Sequence, residues 1–412
     1  MVVLIVCIVI ALYIFGKEAF LASRSAVFPK ANSKQQHRYA ILIPARDESK
    51  VIEALLISIE KQSMPVSSCD VYVIVEDKND KTVEIVKKHK MQIVYRQDLT
   101  KKRKGYALDD AIQEIRKQEK QYDAYFIFDA DNVLDPKFLE EMTTSIDAGY
   151  DIGLGYRNTK NGNDSVYAAV SSLTFSMINT LGNDNKCRHH KTLTISGTGF
   201  YILGKWIDKW KGYPFVSLTE DYELTMYATL HDLTTTYNKK AIFYDEQPNS
   251  YQATITQRTR WVRGYFDTRR QYMKVLKAKM AKKDKNYPSV YEAVMGIKPY
   301  LVMVVGVVST LIWQFYNICL KLIAKKPFMT EVMTILGIFL AIYICLFLVT
   351  YVMLKKEKKV LNLKRSMKFK ALVYNPIFLA TYVNCLVLAF TQKEITWEKI
   401  THDRSLTIDK EK

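Results

Sequence analysis

The stretch Tyr122–Asp131, Tyr-Asp-Ala-Tyr-Phe-Ile-Phe-Asp-Ala-Asp, constrains the fold of this chain more than any other. Its aromatic and β-branched residues, preceded by helix-like sequence and followed by Asn132–Pro136, predict a buried strand that stops on two carboxylates, Asp129 and Asp131. In open α/β sheets the carboxyl edge of the strands is where ligands bind. Two oxygen donors two residues apart at that edge suit a hard divalent cation that also holds a phosphate, so a nucleoside-diphosphate site is expected. An isolated Asp-x-Asp is more often a solvated turn, and the rest of the chain decides between the two readings.

From Tyr39 the pattern alternates between strand and helix. Strands are expected at Tyr39–Pro44, Val71–Val75, Met91–Tyr95 and Tyr122–Asp129, and helices at Asp47–Lys61, Thr82–Lys90 and Lys104–Lys117. Strands separated by helices of this length predict a mostly parallel sheet with right-handed crossovers. Each strand end carries polar candidates: Arg46, Asp47 and Glu48 after the first, Glu76, Asp77 and Asp80 after the second. A carboxylate there can accept from a base or ribose, while Asp47 and Asp80 serve equally well as helix caps.

Farther on, Ser196-Gly197-Thr198-Gly199 interrupts an apolar run, as a loop would where backbone approaches a ligand, or as a plain bulge. Thr219-Glu220-Asp221 precedes a helix at Tyr222–Leu230 and doubles as an ordinary helix start. Gln257-Arg258-Thr259-Arg260-Trp261 places cations and an indole on a helical period, able to serve phosphate and a sugar ring.

The apolar residues of this 412-residue chain are uneven, which predicts a soluble part and a membrane part. Met1–Phe15 lacks a basic start and a small-residue cleavage site, so a retained anchor over residues 1–28 is expected. Runs at Tyr300–Ile323, Val332–Leu354 and Ala371–Phe390 are each long enough to span. Between the soluble part and these runs, residues 271–298 include a basic stretch, Tyr272–Lys285, with Met273, Val275, Leu276 and Met280 interleaved, expected to lie on the membrane surface. Much of the net charge of +18 sits beside the apolar runs, in Lys274–Lys285 and Lys355–Lys370, which points to anionic lipid and not to nucleic acid. The positive-inside rule puts Lys355–Lys370 in the cytoplasm; with four crossings the polar tail, residues 391–412, falls outside. The six cysteines include no CxxC pair, and Cys187, His189 and His190 are too crowded for zinc spacing, so no disulfide framework or zinc site is expected.

Taken in order, Ile43-Pro44-Ala45-Arg46-Asp47-Glu48, Glu76-Asp77 with Asp80, Lys104 ahead of Ala107-Leu108, Asp129-Ala130-Asp131, Thr219-Glu220-Asp221 and Gln257-x-x-Arg260-Trp261 resemble the motifs of the membrane-bound family 2 glycosyltransferases. That group contains the cellulose, chitin, hyaluronan and poly-N-acetylglucosamine synthases. The resemblance covers roughly residues 39–270. It implies a GT-A fold, Rossmann-like with a mostly parallel sheet, over residues 37–270, joined to three transmembrane α-helices within 299–390. It implies a UDP-sugar donor, Mg²⁺ or Mn²⁺, and inversion at the anomeric carbon. By position, Glu48 and Asp77 look like the uridine-binding acids and Lys104 a contact near the nucleotide. Asp129 and Asp131 resemble the diphosphate and metal site, Asp221 with Glu220 beside it the catalytic carboxylates, and Gln257, Arg260 and Trp261 the motif that holds diphosphate and acceptor. Lys78-Asn79 stands where the family has a small Gly-Ser segment, which changes the base contacts.

Inverting transfer needs one ionised carboxylate near the acceptor hydroxyl, the expected role of Asp221, and charge stabilisation on the leaving diphosphate, the role of a metal on Asp131 and of Arg260. Trp261, Tyr201 or Trp206 could stack on the acceptor sugar. The apolar runs are essentially free of ionisable residues, which argues against a transporter. The nearer rival is a single-sugar transferase that loads a lipid or lipid-phosphate carrier; Gln-x-x-Arg-Trp favours a growing polysaccharide instead. Expected partners are thus the UDP-sugar, with N-acetylglucosamine or glucose as the sugar, a polysaccharide or lipid-linked acceptor, membrane lipid, and either a second copy of the chain or a small membrane partner. The expected location is a bacterial cell membrane with the catalytic part in the cytoplasm.

Overall fold

In a computed structural model, residues 37–64, 68–358, 360–393 and 395 are described. The anchor expected at 1–28 and nearly all of the polar tail lie outside them.

Eight strands form one sheet in the order β3-β2-β1-β4-β7-β6-β8-β5: β1 Tyr39–Pro44, β2 Cys69–Val75, β3 Gln92–Tyr95, β4 Ala124–Ile127, β5 Val133–Leu134, β6 Ile152–Thr159, β7 Phe200–Leu203 and β8 Thr235–Asp245. Strands β3, β2, β1 and β4 are parallel neighbours, as are β6 and β8; β7 runs antiparallel between β4 and β6, and β5 antiparallel to β8. The parallel half is built by crossover helices α1 Ile52–Glu60, α2 Lys81–Lys88 and α3 Lys104–Lys117. Its strands read as unbroken apolar runs because both faces are covered: Ile41, Ile43, Val73 and Phe126 pack on one side, Leu42, Tyr72, Ile74 and Tyr125 on the other. The sheet is mostly parallel and Rossmann-like, as expected. Glu48, Asp77 and Asp129 follow the carboxyl ends of β1, β2 and β4, which sit side by side about 4.8 Å apart.

After β5 come α4 Phe138–Asp147, β6, α5 Val166–Met177 continued by a π-helical stretch Ile178–Asp184, the short α6 Asn185–Arg188, β7 and α7 Gly204–Trp210. Then follow α8 Glu220–Leu230, β8 and α9 Tyr251–Lys282. The basic segment Tyr272–Lys285 is not a separate surface helix. It continues α9, whose 32 residues make one rod of about 48 Å. Fully buried Leu276 packs with Met226 of α8 and with Val290 and Val294 of α10, Tyr287–Met295. No glycine or proline breaks the helix at residue 270, and Leu276 is fully buried while Val275 in the same stretch stays half exposed.

Among the described residues, three helices are long and apolar enough to cross a membrane: α11 Lys298–Ile323, which continues from α10, α12 Met329–Lys356 and α13 Arg365–Thr391.

Candidate active site

The helix expected to begin at Asp47 begins at Ile52 instead. Asp47 takes a left-handed backbone, φ 53°, and its N–H donates to Asp80 Oδ2 at 2.7 Å. Asp80 also caps α2 by accepting from the Thr82 N–H at 2.8 Å, so it serves two loops. The Glu48 N–H donates to Thr82 Oγ1. Asp77 is exposed, its Oδ1 accepting from the Asn79 N–H. Between them Glu76 is held by Arg46 at 3.2 Å and Arg96 at 3.3 Å, and Arg96, almost wholly buried, also pairs with Asp110. Glu48 and Asp77 thus follow the neighbouring strands β1 and β2, with Glu76 braced between them.

Those carboxylates converge around Lys104. At the first turn of α3 its ammonium donates to Asp129 Oδ1 at 2.5 Å and to the Gly197 carbonyl at 2.7 Å. It can reach because Gly105 lets α3 lie directly on the backbone of a cover loop between α7 and α8; a Cβ there would overlap the Phe215 carbonyl oxygen. Burial pushes the Lys104 amine down, but Asp129, Glu220 and Asp221 together hold it above the ordinary lysine value. Lys104 is thus a cation shared among three acids.

Gly197 and Gly199 have φ of 80° and 68°, the left-handed region that glycine tolerates. The loop they form brings Gly197 against Asp221, where a Cβ would stand 3.2 Å from Oδ2. Between them Thr198 Oγ1 accepts from the Asp129 N–H at 2.9 Å and is bound to Asn132.

Asp131 is 7% exposed, with each oxygen fixed: the Asn132 amide donates to Oδ1 at 3.0 Å and the Glu246 N–H to Oδ2 at 2.9 Å. Among the described residues no group of three His, Cys, Asp or Glu side chains is placed to enclose a metal. A divalent cation on Asp131 and Asp129 would therefore complete its shell with phosphate oxygens and water, the donor set that Mg²⁺ and Mn²⁺ accept. The residues fit such a cation.

Glu220 and Asp221 open α8, where the helix dipole favours acids. Thr219 precedes them, yet its side chain makes no cap bond and its buried hydroxyl finds no partner among the described residues. It is pressed by α9, since a Cβ on Gly264 would lie 2.5 Å from its methyl. The acids instead face the site. Burial, then the charge of Asp221, push the Glu220 carboxyl up to about 7; burial also raises Asp221, against the pull of Lys104 and Arg260. Arg260 reaches over from α9 to donate to the Leu218 carbonyl at 3.3 Å. Trp261 and Gln257 are half-buried on the same helix, Trp261 edge-on to Phe175 at 6.0 Å.

Tyr201 and Trp206 do not take part. Tyr201 is fully buried, packed on Phe126 and bound to the Tyr150 carbonyl. Trp206 donates to Asp151 beyond the far end of β7, which runs antiparallel and carries it to the opposite edge of the sheet. Arg157, which no motif marks, joins the site from β6. It pairs with Asp245 at 2.5 Å, donates to the Ser196 carbonyl at 2.9 Å and lies over the Phe175 ring at 3.8 Å. Asp245 ends β8 and Glu246 follows it, where the buried pair Lys160–Glu246, 3.1 Å apart, sits behind Asp131.

A family model described as "Glycosyltransferase like family 2" matches residues 37–264, from the start of β1 to the middle of α9. This chain belongs to glycosyltransferase family 2. The family model thus spans Glu48, Asp77, Asp129, Asp131, Glu220 and Asp221, the glycine loop and the Gln-x-x-Arg-Trp motif of this glycosyltransferase. The probable glycosyltransferase YdaM of Bacillus subtilis is 26% identical over 253 residues; the match covers 57% of this chain and 57% of that protein. The chain therefore matches little more than half the length of this curated relative. In fold it is similar to the mannosyltransferase PcManGT of Pyrobaculum calidifontis, solved with GDP-Man and Mn²⁺. There the TM-score is 0.58 at 12% identity, covering 95% of this chain and 100% of that one.

Proposed function

We propose that this glycosyltransferase moves a sugar from a UDP-sugar to the end of a growing β-linked polysaccharide at the membrane, inverting the anomeric carbon. The observation that carries the reading is the junction at Lys104. One ammonium ties the Asp-x-Asp strand end to the glycine loop, which in turn abuts Asp221. Donor phosphate and acceptor hydroxyl would meet there.

Asp221 takes the acceptor proton as the hydroxyl oxygen bonds to the anomeric carbon and the bond to the UDP oxygen breaks, its electron pair leaving with the diphosphate. Arg260 and Lys104 meet that growing charge. Asp131 and Asp129 would hold Mg²⁺ or Mn²⁺, and a cation there would supply Lewis-acid stabilisation of the same charge. Glu48 and Asp77 accept from the nucleoside at the β1–β2 edge, Gln257 and Trp261 flank the diphosphate and acceptor, and Glu220 tunes Asp221. The PcManGT likeness is one of fold, so donor and metal rest on the residues of this chain.

Nucleotide sugar places the catalytic part in the cytoplasm, and a hydroxyl-rich product needs a protein-lined route through lipid. Few helices are at hand for one, so a second copy or a small membrane partner completes it. The test is to incubate full-length protein in nanodiscs with Mn²⁺ or Mg²⁺ and individual UDP-sugars, UDP-N-acetylglucosamine first and UDP-glucose next, then size the product. Polymer supports the reading. One sugar added to a lipid carrier overturns the polysaccharide part, and absence of UDP release with every donor overturns the donor.

A further inference from the structure

We propose that Arg157 is a positioning residue for glycosyl transfer, a second cation that fixes the glycine loop against Asp221 and braces the aromatic contact under Trp261. The inference rests on the function proposed above, in which that loop abuts the base. Every nitrogen of the guanidinium is committed. Nε and Nη2 each lie 2.5 Å from Asp245 Oδ2, and Nη1 donates to the Ser196 carbonyl at 2.9 Å. Its flat face stands 3.8 Å from the centre of the Phe175 ring on α5, and Phe175 meets Trp261 of α9 edge-on at 6.0 Å. One group thus touches a strand end and a loop, and through one ring it reaches the helix of the Gln-x-x-Arg-Trp motif.

Two successive carbonyls of the loop are each taken by a cation, Ser196 by Arg157 and Gly197 by Lys104. Lys104 carries the connection to Asp129, and Arg157 carries it to Phe175 and Trp261. Gly197, between these two anchors and Asp221, can move only if one of them yields. Near the reacting atoms a misplacement of about 1 Å can cost on the order of 10²-fold in rate. The charge of Arg157 has a second effect: burial raises the Asp221 carboxyl, while the Tyr222 N–H, Lys104, Arg260 and Arg157 act against that rise.

A positioning group must itself be held, and Arg157 is. The Asn179 amide of the π-helical stretch donates to its backbone carbonyl at 2.8 Å. Side chains alternate along a strand, so its neighbours Tyr156 and Asn158 face the other way. There the Tyr156 hydroxyl donates to Glu357 at 3.0 Å and the Asn158 amide to the Val360 carbonyl at 3.0 Å, which ties β6 to the segment that follows α12. A plain counter-charge for Asp245, which is 1% exposed, would need only a lysine. The Ser196 bond and the ring contact use the fork and the flat face that only arginine has.

Two variants of the full-length protein in nanodiscs test this. Arg157→Lys keeps the charge and the pairing with Asp245 but cannot hold Ser196 and Phe175 as well. The double variant Arg157→Met, Asp245→Asn removes the buried pair as a unit and leaves no lone charge to unfold the chain. UDP affinity is measured by calorimetry, kcat by UDP release from the donor the parent turns over, and hydrogen exchange in peptides covering residues 193–203. In both variants affinity should stay within about twofold of the parent, exchange at 196–199 should quicken on the order of tenfold, and kcat should fall on the order of 10²-fold. Parent exchange in the loop of Arg157→Lys overturns the proposal, and so does a loosened loop with parent kcat. A loss of UDP affinity matching the loss of kcat overturns it too, by making Arg157 a support of the donor site. If the parent releases no UDP from any donor, the function proposed above fails, and loop exchange alone decides whether Arg157 fixes the loop.

Discussion

At the scale of single residues, the site is governed by what each carboxylate must do while buried beside others. Burial and Asp221 raise Glu220 to about 7, so the upper step of this pair falls close to neutral pH. Asp221 works as a base only when ionised, and burial raises its carboxyl above the usual range, so turnover should fall away on the acid side. In Glu220→Gln the second charge is gone, Asp221 ionises more readily, and the acidic limb of the kcat profile should move to lower pH. A limb that stays in place would assign the titration to another group. Asp131→Asn should lower metal-dependent turnover on the order of a hundredfold or more, with circular dichroism and membrane insertion unchanged. UDP release at the parent rate would remove Asp131 from the metal site. These residues were legible in sequence because chemistry dictates their type. Arg157 was not, since an arginine on a strand has no local signature and its role comes from meeting Ser196, Asp245 and Phe175 across the fold.

At the scale of elements, the crossover strands and helices could be read from periodicity because each buries an apolar face over its own length. Strand β4 and helix α3 appear where alternation and helical spacing put them, α3 to the residue. What could not be read was set by distant partners. The helix after β1 starts late because Asp47 is committed to Asp80, 33 residues away. The basic end of α9 looked amphipathic toward lipid, yet its stripe fits α8 and α10. Helix α3 offers a direct test of how an element places a reactive group. Gly105→Ala must displace the Phe215 carbonyl or the helix, which should cost about 1–3 kcal/mol of stability by denaturant unfolding and weaken donor binding as Lys104 shifts. Parent stability would mean the cover loop yields freely and does not position Lys104.

At the scale of the whole molecule, a family 2 glycosyltransferase domain is joined to helices long and apolar enough to cross a membrane, and the order of the chain makes one site from segments nearly two hundred residues apart. Hydropathy identified the long helices, but length and composition alone do not show that the seam of α13 is clasped by α5 and α9. The central claim is that the carboxylate brought against Gly197 is the base for transfer. Asp221→Asn in full-length protein tests it most directly, with UDP-sugar affinity measured by calorimetry beside single-turnover transfer. Affinity should be retained while the rate falls on the order of 10²–10⁴-fold; a loss of donor affinity matching the loss of rate, or transfer at the parent rate, would contradict the account.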